Sequence, residues 1–219
     1  MLQAVIKCPH CGNEGTFDFY GIPFVRHAKF TKLPNGREVE VLLVRGIAVC
    51  CKCEEPALIE AHVFRNEWDV YEKHINTREL YRISNFRIVR VLPQPKEPYT
   101  HPAIPEKARE LLRDVQELLF QRKSPSLIIG GCRSILEVAL KELRAEGESL
   151  YEKIEDLYRR HVITEPLRDW SHIVRKLGNK AIHEVEASIE EAEELVEFTK
   201  LFLVMTFELP ARISEKRKS

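Results

Sequence analysis

The chain has 219 residues, 44% apolar and 31% charged, with 34 basic side chains balanced by 34 acidic ones. That length and apolar content suit one domain of ordinary size beside a small one, and exclude a disordered chain. The balance holds in each half, 14 basic against 12 acidic in residues 1–100 and 20 against 22 in 101–219, so bulk charge gives no argument for a polyanionic partner.

No stretch is long and apolar enough to span a bilayer, so no membrane partner is expected. The run from Met1 to Lys7 is too short for a signal peptide, and the expected compartment is the cytoplasm.

Residues 1–66 read as β-structure. Phe24 to Leu33 and Arg37 to Val49 are strand-like runs joined by Pro34-Asn35-Gly36, a hairpin turn signal. Val39, Val41, Leu43, Ile47 and Val49 alternate as a half-buried strand requires. Ala57 to Phe64 gives a further strand, residues 67–82 leave room for a short helix, and Phe86 to Leu92 is again strand-like.

Cys8-Pro9-His10-Cys11 and Cys50-Cys51-Lys52-Cys53 flank this hairpin. Two thiolates with two residues between them grip one ion, and a second such pair completes a tetrahedron. Gly12 permits the positive φ wanted just after such a turn. The expected ligands are Cys8, Cys11, Cys50 and Cys53 around a structural Zn²⁺, with Cys51 open as a substitute for Cys50 and an iron–sulfur cluster as the other metal option. Four protein thiolates leave no open coordination position, so the metal replaces a core and does no chemistry. Arg26, His27, Lys29, Lys32 and Arg37 lie near Phe24 and Phe30 on the hairpin, a mixture that can track phosphates and stack on bases of RNA or DNA.

Five prolines within residues 93–105 mark a linker. Beyond it the pattern is helical. Glu106 to Gln121 carries Ala108, Leu111, Leu112, Val115, Leu118 and Leu119 on one stripe. Ser124-Pro125 opens a second helix reaching about Leu143, and Ser149 with Glu152 forms a capping box for a third to about Arg160. Thr164-Glu165-Pro166 opens a fourth, and Ser188 with Glu191 caps a last one reaching about Phe207 and stopped by Pro210. The fold class is therefore α+β: a small β-rich zinc ribbon over 1–92, a Pro-rich linker over 93–105, an all-α bundle of about five helices over 106–210, and a basic tail over 211–219.

The fourth helix holds Leu177-Gly178-Asn179-Lys180-Ala181-Ile182-His183. Asn179 and His183 are four residues apart, hence on one face, and Arg175 lies a further turn back on the same face. Ile128-Ile129-Gly130-Gly131-Cys132-Arg133-Ser134-Ile135-Leu136-Glu137, Leu150 to Leu157 and this last segment resemble, in their order, the domain-of-unknown-function family 4145. The ribbon is similar to one that often precedes that domain. The family in turn resembles the HEPN helical bundles, many of them metal-independent ribonucleases of prokaryotic defence systems, active as dimers. Their signature is an Arg, a polar residue, then a His four to six positions after the Arg. His183 matches the His and Asn179 the polar position, while Gly178 stands where the Arg belongs.

His suits proton transfer to or from RNA near neutral pH, and a cation must stabilise the charged phosphate. With Gly178 at the Arg position, the expected function leans away from enzymes. The expectation is a zinc-containing binding or regulatory module linked to defence or nucleic-acid transactions, partnering a defence-system protein and pairing as a homodimer through its helical domain. The first alternative is an endoribonuclease using His183, Asn179 and Arg175. The second is a nucleic-acid-binding ribbon protein.

Overall fold

The computed structural model describes the chain except residues 1, 22, 75–80, 84, 85, 184–186 and 219, and except the side chains of 82 and 181–183. It comprises two compact units, 1–96 and 97–219.

The first unit is a seven-stranded sheet with one helix. In chain order it holds β1 (Leu2–Lys7), β2 (Glu14–Phe19), β3 (Phe24–Lys32), β4 (Glu38–Cys50), β5 (Pro56–Phe64), α1 (Arg65–His74), β6 (Tyr81–Arg82) and β7 (Arg87–Leu92). The spatial order is β6-β1-β2-β4-β5-β7, with β3 also on β4; the β1–β6 pair is parallel and the other pairings are antiparallel. Thirteen residues long, β4 is the spine. One half pairs with β3 and the end with β2, while β5 runs along its other side. The expected turn is present: Gly36 has φ 80° and donates to the Leu33 carbonyl at 2.8 Å.

Face assignment along β4 departs from the expectation. Leu42, Val44, Ala48 and Cys50 enter the main core of this unit, with Phe17, Ile59 and the α1 residues Trp68 and Tyr71. The odd-numbered set lies on the other face, where Ile47 is 56% exposed. A strand's period of two ties this choice to Cys50: with Cys50 turned inward, Ala48, Val44 and Leu42 follow.

The second unit contains α2 (Glu106–Phe120), α3 (Pro125–Glu142), α4 (Leu150–Arg159), α5 (Glu165–His183), α6 (Ile189–Leu203), a π-helical turn (Val204–Glu208) and α7 (Leu209–Lys218). Central α3 buries Ile128, Ile129, Cys132, Ile135, Leu136, Ala139 and Leu140. Deleting such a side chain costs about 2–5 kcal/mol. Gly131 permits close approach of α2, since a Cβ there would lie 2.4 Å from Val115 Cγ2. Both capping boxes are formed, Ser149 with Glu152 and Ser188 with Glu191. Ser124 occupies its N-cap position, but its side chain makes no cap hydrogen bond.

Two segments differ from the sequence reading. The expected linker divides: residues 97–105 belong to the helical unit. There Ile104 is buried, the Tyr99 backbone exchanges two 3.0 Å hydrogen bonds with Gln116, and the Tyr99 hydroxyl donates to Glu208. The helix also passes Pro210, so residues expected as a tail lie in α7. Pro210 takes the second position of α7, where a missing N–H is tolerated, and the wider π turn before it shifts the hydrogen-bond register.

Candidate functional sites

The four paired cysteines come together. One Sγ from each of Cys8, Cys11, Cys50 and Cys53 lies within 4.8 Å of all the others, and Cys8 and Cys53 are 3.7 Å apart. Local sequence builds the same turn twice. The Cys8 amide donates to the Asn13 carbonyl (2.8 Å) and the Gly12 amide to the Cys8 carbonyl (3.0 Å). In the second turn the Cys50 amide donates to the Glu55 carbonyl (3.1 Å) and the Glu54 amide to the Cys50 carbonyl (2.9 Å). Gly12 and Glu54 hold matching φ values of 64° and 61°. Pairing of β2 with β4, with Phe17 opposite Cys50, then brings the turns together across a long stretch of sequence.

Backbone amides of His10 and Cys11 both donate to Cys8 Sγ at 3.4 Å, favouring a thiolate there. Without an ion, burial pushes the Cys8 thiol up to about 12, so an ion that binds displaces its proton. His10 is engaged elsewhere, with Nε2 3.0 Å from the Pro56 carbonyl. Cys51 is exposed and outside the cluster, which resolves the Cys50/Cys51 choice in favour of Cys50. Four thiols in this arrangement can hold one metal ion.

The second feature is a cleft of about 410 Å³ on the sheet of the same unit, lined by Lys29, Lys32, His62 and Arg87 with Phe64 and Phe86, and by no carboxylate. Register assembles it. Lys29 is opposite Val41 and Val41 opposite Phe64; Leu43 is opposite His62 and His62 opposite Arg87. Nearby carboxylates are already paired: Glu60 with Arg45 (2.6 Å) and Arg90 (2.9 Å), and Glu40 with His27 (3.0 Å). Burial, together with Lys29 and Arg87, holds His62 below the ordinary histidine value. Sequence reasoning found Lys29 and Lys32 but not His62, Phe64, Phe86 or Arg87, which only strand register brings beside them. Phe24 and Phe30 are exposed on β3 as expected, and His27 lies against Phe30 with ring centroids 5.0 Å apart.

In the helical unit, Arg175 and Asn179 line one cleft of about 470 Å³, with Arg133 and Glu137 of α3 and Tyr151 and Lys153 of α4. Asn179 is exposed and Gly178 buried. His183 ends α5, and its side chain lies outside the described residues. Sequence reasoning read Arg133 as one half of a structural pair with Glu137. That pair exists at 2.8 Å, but Arg133 also crosses α5 at Gly178. The glycine in the signature's Arg position was the available signal. Cys132 is fully buried in the helical core, and burial pushes its thiol up to about 12.

A family profile described as "Domain of unknown function (DUF4145)" matches residues 102–219. No curated protein and no solved structure matches the chain.

Proposed function

Since the chain belongs to the DUF4145 family through residues 102–219, a description that assigns no activity, we propose from its own residues that it is a zinc-stabilised nucleic-acid-binding module. The observation that carries this reading is the sheet cleft, where four basic side chains and two phenylalanines meet without a carboxylate. Positive charge attracts phosphates, and aromatic faces receive unstacked bases. A single strand suits this combination better than a duplex, whose bases offer no free face.

Zinc is the metal this reading assigns to Cys8, Cys11, Cys50 and Cys53. Zn–S bonds of about 2.3 Å place tetrahedral sulfurs about 3.8 Å apart, close to the 3.7 Å between Cys8 and Cys53. The ion's contribution is structural: it joins the β1–β2 and β4–β5 turns and so fixes the strand register behind the cleft. Anisotropy titration with labelled single-stranded RNA and DNA tests the reading. Binding should weaken steeply with salt, and Lys29→Glu with Arg87→Glu should reduce it at least about tenfold. Salt-independent binding, or full affinity in the double variant, refutes it.

The endoribonuclease reading keeps one supporting observation, that Arg175 and Asn179 line the same cleft on the helix ending at His183. Its test is cleavage of RNA in EDTA by wild type, lost in His183→Ala. With Gly178 at the signature's Arg position, wild type is expected to cleave nothing.

The proposal extends to a homodimer through the helical unit. Trp170, Ile173, Leu201 and Met205 are each 38–50% exposed there, and an apolar groove of about 860 Å³ runs past Pro166, Trp170, Phe198 and Leu201. A surface of this kind favours association.

A further inference from the structure

The helical cleft contains two cations that the chain leaves short of acceptors. Arg133 Nη2 donates to Glu137 at 2.8 Å, while its Nη1 is buried with no hydrogen-bond partner among the described residues. Arg175 forms neither an ion pair nor a hydrogen bond among the described residues; its Nε is buried, and its guanidinium lies over the Tyr151 ring, 5.5 Å from the centroid. Two arginines are thus brought from different helices into one cleft against like-charge repulsion. An unmet buried donor carries an unrecovered desolvation cost.

The approach has a specific cause. A Cβ at position 178 would lie 2.7 Å from Arg133 Cβ and 2.8 Å from its Cδ. Arg133 therefore crosses α5 at the one residue with no side chain. Gly178 is three positions from Arg175 and adjacent to Asn179, so the crossing delivers the second guanidinium beside the first. The cleft's carboxylates are Glu137, already held by Arg133, and Glu148; Lys153 adds a third cation.

We propose that this cleft binds the phosphoryl group of a nucleotide-sized ligand, clamped between Arg133 and Arg175. The guanidinium fork matches phosphate oxygens better than any other side chain. A volume of about 470 Å³ lies within the usual range for small-molecule sites, about 300–1,000 Å³. Half-exposed Tyr151 supplies an aromatic wall for a base, and exposed Asn179 a polar contact at the mouth. The inference stands apart from the sheet-face reading, which concerns a different unit and has its own assay.

Calorimetric titration of the full chain with adenosine 5′-monophosphate, adenosine and inorganic phosphate tests it. The monophosphate should bind, adenosine should bind at least about tenfold more weakly, a difference of about 1.4 kcal/mol, and inorganic phosphate should compete. Arg133→Ala and Arg175→Ala should each weaken the monophosphate at least about tenfold at unchanged circular dichroism. If either fails to fold, Asn179→Asp puts a carboxylate at an exposed position and should produce a similar loss. The proposal falls if adenosine binds as tightly as its monophosphate, or if the affinity survives these substitutions. It also falls if an oligoadenylate strand binds through the two arginines while the monophosphate does not, for the ligand is then a phosphodiester chain.

Discussion

Gly178 shows how much one residue can decide. It lies on the buried stripe of α5 with Leu167, Ser171 and Val174. Gly178→Ala places a methyl group against Arg133 Cβ, which belongs to the rigid part of that side chain. Overpacking of this kind costs about 1–3 kcal/mol, against a helix-propensity gain of about 1 kcal/mol. The expected outcome is a lowered thermal midpoint, and an unchanged or raised one would show that Arg133 gives way freely.

Glu208 offers a second test at the same scale. It is buried, receives the Tyr99 hydroxyl, and pairs with Arg212 at 2.6 Å and more distantly with His101. The Tyr99 hydrogen bond leads the causes that hold its carboxyl below the ordinary glutamate value, against burial. Its stabilising contribution is therefore fully present above the unfolded value, about pH 4.3, and is lost as the pH falls through the depressed folded value. Tyr99→Phe should cost about 1–3 kcal/mol at neutral pH, and Glu208→Gln should flatten the acid limb of the stability curve. Parallel acid limbs in wild type and Glu208→Gln would count against this account.

At the scale of elements, legibility followed locality. Both capping boxes were readable because their partners are three residues apart. Helix ends were harder. Arg122, Arg144 and His161 end α2, α3 and α4 with φ of 49°, 55° and 58°, where glycine is the usual stop signal. The metal cluster was readable from spacing alone, yet which of Cys50 and Cys51 belongs to it depended on the inward face of β4. The same face choice hid His62 and Arg87, whose meeting with Lys29 needs three strands in register. Elemental analysis should give one metal per chain in wild type and Cys51→Ser, and none in Cys8→Ser or Cys50→Ser. Chelation should lower the midpoint of the sheet unit, because an ion bound only to the folded state stabilises it. Metal retained in Cys50→Ser but lost in Cys51→Ser would reverse the assignment.

At the scale of the molecule, composition and charge announced two units but not their edge. The prolines between 93 and 105 looked like a spacer, while Tyr99 and Ile104 draw their significance from α2 and Glu208, distant in sequence. Light scattering should report a mass twice that of the chain, and Leu201→Glu should halve it by placing a charge in the apolar groove. A monomeric wild type at high micromolar concentration would end the dimer proposal.

The π turn at Val204–Glu208 amounts to one surplus residue in an otherwise continuous helix from Ile189 to Lys218. Each residue rotates an α-helix by about 100°, so everything downstream is turned relative to the face that α6 presents. Glu208 sits at the end of that turn, pointing inward at Tyr99. Loss of a single codon there would leave a smoother helix, and the reading frame of its faces, not its helicity, would be what the molecule lost.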